Sequence, residues 1–552
     1  MTKLVSLHDA VARTVSPGAM VLFAFTHNRS HAAAFEVARQ FRDRRCLHLV
    51  ATGLLEYASI LVAAGAVARL ESAFAGSTYP APAPSRSLQQ EIDANAANDP
   101  NWTNLTMAGE MGWPFVPTPR LVGSGLWSDR GRAQFACPLS GEPVTVVSAL
   151  QPDVTFVHVP VADTSGNAIV HGPDAEESWG VWAAKRVVVT AERVVSPDEL
   201  RRIGPRAGIA GHRVDFVVEA PFGAHPQGQF VWSDVEGVAS YAEDYEFRRM
   251  LRTLTRDPDA LRSWVEDWVF KTDHSTYLGR LGPERLDGLR KQAIAPTPAA
   301  PRDADAPASP EERAAILAMR LAVSEAQAGR AQTFFAGIGL AHLAAWAAER
   351  RCRDAGIDVS LIAETGMVGF RPIEGDPYLF NRPNAASSLF HNSFVQTLAV
   401  LAGPRARNCL VMLAAAQIDA RGNINSSRGS DGRFIVGSGG ANDLGNGSAA
   451  CLVVMPLKTH RFVETLPFTT TPIRHHAGVA TDLGLLERDA QGVLRVRGVM
   501  CEPGAEDATL AQINACCGHA LAVHPVLERF DPPTVQELAS LRRFDPQRAI
   551  LA

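Results

Sequence analysis

The chain has 552 residues, 46% of them hydrophobic and 20% charged, which is apolar material for two to four cores rather than one. Its formal charge of −5 is small for that length, and no basic run interleaved with aromatics occurs, so neither nucleic acid nor a membrane surface is an expected partner. No apolar run reaches the ~18 residues of a spanning helix, the start Met1-Thr-Lys-Leu-Val-Ser-Leu-His8 lacks the apolar core of a signal peptide, and the eight cysteines form no CxxC. A cytoplasmic protein with reduced thiols and no metal is the expectation.

In chain order, Val21-Leu-Phe-Ala-Phe25 predicts a strand, HAAAFEVARQFRDRR a helix, and Leu47-His-Leu-Val-Ala-Thr-Gly53 a second strand. Strand, amphipathic helix, strand is a βαβ unit and implies a parallel sheet. The buried strand Val154–Ala162 then runs into Asp163-x-x-Gly166-Asn167, a tight Asp/Gly/Asn turn. Residues 293–312 hold AIAPTPAAPRDADAPASP, with five prolines and seven alanines in 18 residues. Such a segment presents no hydrophobic face and reads as an extended linker between domains at 1–292 and 313–552.

The second part repeats the first. Thr333-Phe-Phe-Ala-Gly337 leads into AHLAAWAAERRCRDAG and then Val359-Ser-Leu-Ile-Ala-Glu-Thr-Gly366. Gly53 lies 29 residues beyond Ala24, and Gly366 lies 30 beyond Ala336. Cys409–Ile418 likewise runs into Asp419-x-x-Gly422-Asn423. Two matched units argue for duplication: two related α/β domains with open parallel sheets, whose facing carboxyl ends are the natural place for a site.

Glu364 leaves an apolar strand at such an end and is followed by a turn glycine, a place suited to a nucleophilic carboxylate; a solvated strand-end glutamate is the alternative. The matching place in the first half holds Ala51. Gly437-Ser-Gly-Gly440-Ala-Asn-Asp443-Leu444, expected after a strand Arg433–Val436, and Gly337-Ile338-Gly339 could bring backbone N–H groups to an oxyanion or phosphate. Neither is a GxGxxG or GxxxxGK[ST] pattern. His475-His476 has no third ligand at useful spacing and reads as surface or packing, and Cys516-Cys517 reads as packing. Ser124 and Ser438 lack the flanks of a serine-hydrolase elbow. His27, Arg29 and His31 could line the crevice at the end of the first strand, with helix-capping or surface roles as the alternative.

Together these segments resemble the family I coenzyme A-transferases, above all the glutaconate CoA-transferase group, with its α and β subunits fused through the Pro/Ala linker. The likeness covers nearly the whole chain. In the first half it rests on Gly112-Trp-Pro-Phe-Val-Pro117-Thr118, Pro152–His158, Ala162–Asn167, Ala183–Glu192 and Pro221–Pro226. In the second it rests on Gly337-Ile-Gly339, Glu364-Thr-Gly366, Asp419–Asn423 and Gly437–Leu444. Phe23-Ala-Phe-Thr-His-Asn28 departs from the pattern, standing where the family carries a Gly-rich turn.

The resemblance implies a ping-pong transfer of CoA from an acyl-CoA to a carboxylic acid through a glutamyl-CoA thioester on Glu364. Backbone N–H groups around Ile338 and Gly439-Gly440 would form the oxyanion hole. CoA would be a substrate, with no metal or organic cofactor, and a homodimer is implied by relatives whose split subunits pair as α2β2. The acyl pocket could draw on His27, Arg29, Arg371 or Arg382. One alternative is a hydrolase on the same scaffold, opening an acyl-CoA or a cyclic β-diketone ring and using a first-half acid such as Asp99 or Glu110. The resemblance implies that the cyclic β-diketone branch lacks the second-half glutamate, which this sequence retains as Glu364. A non-catalytic ligand-binding sensor is the alternative of another class.

Overall fold

The computed structural model describes residues 2–24, 27–95, 111–118, 121–128, 132–204, 208–231, 237–294, 306–402, 407–448 and 450–551. The chain divides into two units. The first comprises Met1–Tyr79, Ala83–Thr118 and Asp129–Pro296; the second comprises Pro80–Pro82, Pro119–Ser128 and Thr297–Ala552. Two short pieces of the sequence-predicted first domain thus belong to the second unit. Most of the Pro/Ala segment, with Asp99 and Glu110, lies outside the described residues. Regular helices reach into both ends of the span read as linker, one ending at Ile294 and the next starting at Pro310.

After a helix at Leu7–Thr14, the first unit's sheet begins with β1 (Met20–Phe23), followed by α1 (His31–Gln40), β2 (Leu47–Val50) and β3 (Val67–Glu71). Its centre is β4 (Val154–Asp163), followed by β5 (Ala168–Ile169), α2 (Glu177–Ala183), β6 (Arg186–Val195), β7 (Gly208–Ile209) and β8 (Phe216–Glu219). The sheet runs β7-β5-β4-β1-β2-β3, with β6 joining β4 to β8. All pairings are parallel except those of β5. Every residue of β4 is buried, as expected of a parallel strand covered on both faces. The first unit also carries α3 (Tyr245–Leu254).

The second unit starts with α4 (Pro310–Gln327), whose Ser309 and Glu312 form a reciprocal capping box. Then come β9 (Thr333–Ala336), α5 (Leu340–Asp354), β10 (Ser360–Ile362), β11 (Met367–Val368), β12 (Phe390–His391) and β13 (Cys409–Leu413). After α6 (Ala441–Gly447) follow β14 (Ala450–Val454), β15 (His476–Ala480), β16 (Gly484–Arg488), β17 (Leu494–Met500) and β18 (Val523–Phe530). The ten strands are ordered β12-β11-β10-β9-β13-β14-β15-β16-β17-β18, and β10-β9-β13-β14-β15 is a parallel core.

The two units share a turn to atomic detail. Asp163 Oδ1 accepts from the N–H groups of Ser165 (2.8 Å) and Asn167 (3.0 Å), and its Oδ2 accepts from the Asn167 amide at 2.7 Å. Asp419 does the same with Arg421 (2.9 Å), Asn423 (2.8 Å) and the Asn423 amide (3.1 Å). Gly166 and Gly422 both hold positive φ, 96° and 75°, where a Cβ would be strained. The two backbone bonds and the left-handed glycine recur in a third loop, Asp489–Val493, so it is the added Asn amide bond and the matching place after a buried strand that accord with duplication. One expected element is corrected: Arg433–Val436 is not a regular strand but makes a single bridge from Phe434 to Arg428. Phe434 is fully buried, so the apolar run signals an anchored loop rather than a sheet element.

Candidate active site

The site grows out of the register between β9 and β10. Thr333 pairs with Ser360 and Phe335 with Ile362, so the two strands end side by side. Gly337 therefore follows one strand where Ala363 and Glu364 follow its neighbour. The chain turns back at once: the Gly366 N–H donates to the Ala363 carbonyl at 2.9 Å and the Ala363 N–H to the Met367 carbonyl at 3.0 Å. Gly366 has φ 108°, and a Cβ there would overlap the Asn392 carbonyl, so glycine is required. Glu364 stands at the tip of this turn, partly buried.

Burial pushes the Glu364 carboxyl up to about 7, with Asp443 adding to the rise and the nearby Gly440 N–H opposing it. Gly440 is the N-cap of α6, and Asp443 lies in that helix's first turn. The approach of Gly440 is close: a Cβ on it would stand 2.5 Å from Glu364 Oε2. Gly440 has φ −77°, a conformation any residue accepts, so the demand for glycine here is steric and comes from the carboxylate. Gly440→Ala is accordingly expected to lower turnover by about 10²-fold through a displaced carboxylate while the thermal midpoint stays near that of the parent. Parallel activity and melting measurements check this.

The Gly337–Gly339 turn borders the same strand ends. The Gly337 N–H donates to the Met412 carbonyl at 3.0 Å, and Gly339, at φ 114°, caps α5. Among the described residues the N–H groups of Ile338 and Gly439 have no hydrogen-bond partner.

The other sequence-predicted residues are placed as follows. His27 is 7% exposed, with its ring edge-on to Phe230 at 5.7 Å. Arg29 is 4% exposed and donates to Gln227 Oε1 at 2.7 Å. Both are built into the first unit. Arg371 is exposed, its backbone N–H donating to Ser387 Oγ, and Arg382 is half-buried at the start of a five-residue helix. His31 is buried, which pushes its imidazole down to about 3. Ser124 is structural, its hydroxyl donating to the Thr470 carbonyl at 2.6 Å. His476 sits in β15 with Nδ1 accepting from the Gly478 N–H. Among the described residues, no group of His, Cys, Asp and Glu could hold a metal ion, and no helix is long and apolar enough to cross a membrane.

The coenzyme A transferase family model matches residues 4–220. An uncharacterised protein of Archaeoglobus fulgidus is 30% identical over 302 residues, 52% of this chain, and the chain spans only 64% of that relative's length. One subunit of the 3-oxoadipate CoA-transferase of Pseudomonas knackmussii is 30% identical over 295 residues, 51% of this chain and 99% of the relative. The chain belongs to the coenzyme A transferase family. One subunit of the glutaconate CoA-transferase of Acidaminococcus fermentans is 28% identical over 52% of this chain and 95% of its own. That single subunits match about half of this chain is consistent with two subunits fused in one chain. An acyl-CoA transferase of Escherichia coli O157:H7, solved as a thioester complex with CoA, matches 96% of this chain and 95% of its own with TM-score 0.65 at 14% identity, a likeness of fold.

Two residues of this site have neighbours that motif reading does not assign. Asp443 is visible inside GSGGAND, but its charge acts on Glu364 only because α6 brings its first turn there. His342 reads as an ordinary helix residue in AHLAAW; the signal that could have found it is its place three residues beyond the capping glycine, where a side chain can reach back to the N-cap N–H.

Proposed function

We propose that this enzyme transfers CoA from an acyl-CoA to an acceptor carboxylate by a ping-pong route through Glu364. The observation that carries the reading is the Glu364 carboxylate: at the end of a parallel strand, partly buried, closely approached by Gly440 and raised to about 7. A carboxylate of raised pKa is a better nucleophile than an ordinary one, yet it is largely ionised above pH 7. Family membership supports CoA transfer in general, and the relatives named for 3-oxoadipate and glutaconate favour acyl groups bearing a second carboxylate.

In this route Glu364 attacks the thioester carbon, the C–S bond breaks, and an acyl-glutamyl anhydride and CoA thiolate result. The thiolate attacks the glutamyl carbonyl, expelling the donor acid as its carboxylate and leaving a glutamyl-CoA thioester. The acceptor carboxylate attacks that thioester to give a new anhydride and thiolate. Attack of the thiolate on the acceptor's acyl carbon then yields the new acyl-CoA and restores Glu364. Each tetrahedral adduct bears an oxyanion, and the uncommitted N–H groups of Ile338 and Gly439 are the candidate donors. One such donor is worth roughly 2.7–4 kcal/mol in transition-state stabilisation.

The test is to incubate the protein with a panel of acyl-CoAs, trap with borohydride or hydroxylamine, and map the modified peptides by mass spectrometry. Modification of the Glu364 peptide is the expected result. CoA released at the same rate without any added carboxylate, with Glu364 unmodified, would replace transfer by hydrolysis.

A pH dependence follows. The rate on the acidic side should rise as Glu364 loses its proton, with an apparent pKa near 7 in kcat/KM. Asp443→Asn removes the neighbouring negative charge, so the limb should move to lower pH; an unmoved limb would remove Asp443 from this role.

A further inference from the structure

Gly339 caps α5 without a side chain to do so, and the helix supplies the missing partner from inside. The Gly339 N–H donates to His342 Nδ1 at 2.7 Å, and His342 Nε2 lies 2.9 Å from the Pro377 carbonyl. A carbonyl oxygen only accepts, so Nε2 carries the hydrogen and Nδ1 is left as the acceptor. The ring is fully buried and packs edge-on against Trp346 at 4.6 Å. Burial pushes the imidazole down to about 4, so the accepting nitrogen stays unprotonated across the neutral range.

This clamp has a consequence for the turn it closes. Gly339 is held at φ 114° and ψ −145°, a backbone state open to glycine and otherwise strained. The Gly337 N–H is committed to Met412 and the Gly339 N–H to His342. The turn is thus tied at both glycines, and the Ile338 N–H between them is the one without a partner among the described residues. A donor that stabilises a developing charge is effective when it is already in place and costs no reorganisation.

We propose that His342 is a positioning residue of the transfer reaction: by accepting from Gly339 and donating to Pro377 it locks the Gly337–Gly339 turn, keeping the Ile338 N–H available to the oxyanion formed when Glu364 attacks the thioester. The proposal rests on Glu364 as the nucleophile. It assigns the turn's rigidity to one side chain that never touches substrate.

Two variants separate the roles. His342→Leu keeps an apolar group in the pocket and removes the acceptor. His342→Gln keeps an oxygen at the position from which a capping-box side chain reaches the N-cap N–H. The clamp itself is read by amide hydrogen exchange of the peptide spanning 337–341 in the full chain without substrate. Exchange at Gly339 should accelerate at least about 10-fold in His342→Leu and stay near the parent rate in His342→Gln.

Its role in the reaction is read by single-turnover labelling of Glu364 with acetyl-, butyryl-, succinyl- and glutaryl-CoA, the fastest donor being carried through. His342→Leu should label about 10²-fold more slowly, with affinity for CoA within about twofold of the parent, and His342→Gln should recover most of the rate. Unchanged exchange in His342→Leu overturns the clamp whatever Glu364 does. Faster exchange with an unaltered labelling rate reduces His342 to a helix cap and overturns its role in the reaction. Altered exchange with no Glu364 label from any donor in the parent removes the nucleophile, and the proposed role falls with it while the clamp stands.

Discussion

On the proposed route, Glu364→Ala is expected to lower CoA transfer by at least about 10³-fold and to eliminate the glutamyl adduct, because the variant lacks the group that would carry the covalent intermediate and so loses the route and not one contribution to it. Glu364→Gln should be as inactive while preserving shape, and it brings a second readout. The folded carboxyl keeps its proton up to about pH 7, whereas in an unfolded chain it releases it near its ordinary value of 4.5. Between those values the folded state binds more protons, so the parent loses stability as pH rises through that window. A rise of this size corresponds to about 3 kcal/mol between the two protonation states at full effect, and partial exposure reduces it. Glu364→Gln should therefore be more stable than the parent by about 1–2 kcal/mol at pH 8 and indistinguishable from it at pH 4. Urea unfolding at the two pH values checks this. An inactive variant that is also less stable at pH 8 would attribute the lost activity to the fold.

Arg248→Met is expected to destabilise the protein by about 3–5 kcal/mol at pH 7. Arg248 lies in α3 and is 1% exposed. Its Nε donates to Glu56 Oε1 at 3.0 Å, Nη1 to Glu243 Oε2 at 2.8 Å and Nη2 to Thr78 Oγ1 at 3.0 Å. Burial tends to raise both carboxyls. At Glu56 burial is the largest influence, but the Arg248 guanidinium, the residue's own backbone N–H and the charge of Arg29 together outweigh it and the group ends below its ordinary value, while at Glu243 burial wins. Methionine fills a similar volume but leaves two buried carboxylates facing each other without the guanidinium that pairs with both, and with the weaker Arg29 charge left to act on them. The depressed Glu56 contributes stability that is present above its ordinary value of 4.5 and lost as pH falls through its folded value. The gap between parent and variant should thus be widest at neutral pH and narrow below about 4.5, where both carboxyls protonate in the variant. Urea unfolding at pH 7 and pH 4 measures it, and a gap under about 1 kcal/mol at pH 7 would show that the cluster relaxes or admits water.

Several features were legible from residue order because their causes are local. Apolar runs of strand length, helix-period segments between them and Asp-x-x-Gly-Asn turns report backbone preferences that act over a few residues, and both βαβ units and both turns stand where those patterns lie. The same reasoning put Glu364 at a strand end and glycines beside it. It failed at Arg433–Val436, where one buried phenylalanine anchors a loop and the apolar run imitates a strand.

Residue order thus carries the duplicated α/β plan, the position of Glu364 and the glycine-rich turns, since each follows from short-range periodicity and turn chemistry. What surrounds those residues was decided by the folded chain. Folding brought Gly440 against a carboxylate 76 residues earlier in the chain and set Asp443 to raise it. It turned His342 from a helix residue into the partner of Gly339 and Pro377, and it gathered Thr78, Glu56 and Glu243 around Arg248. Proton affinity and hydrogen-bond partnership depend on burial and on neighbours in space, and neither is written in the order of residues.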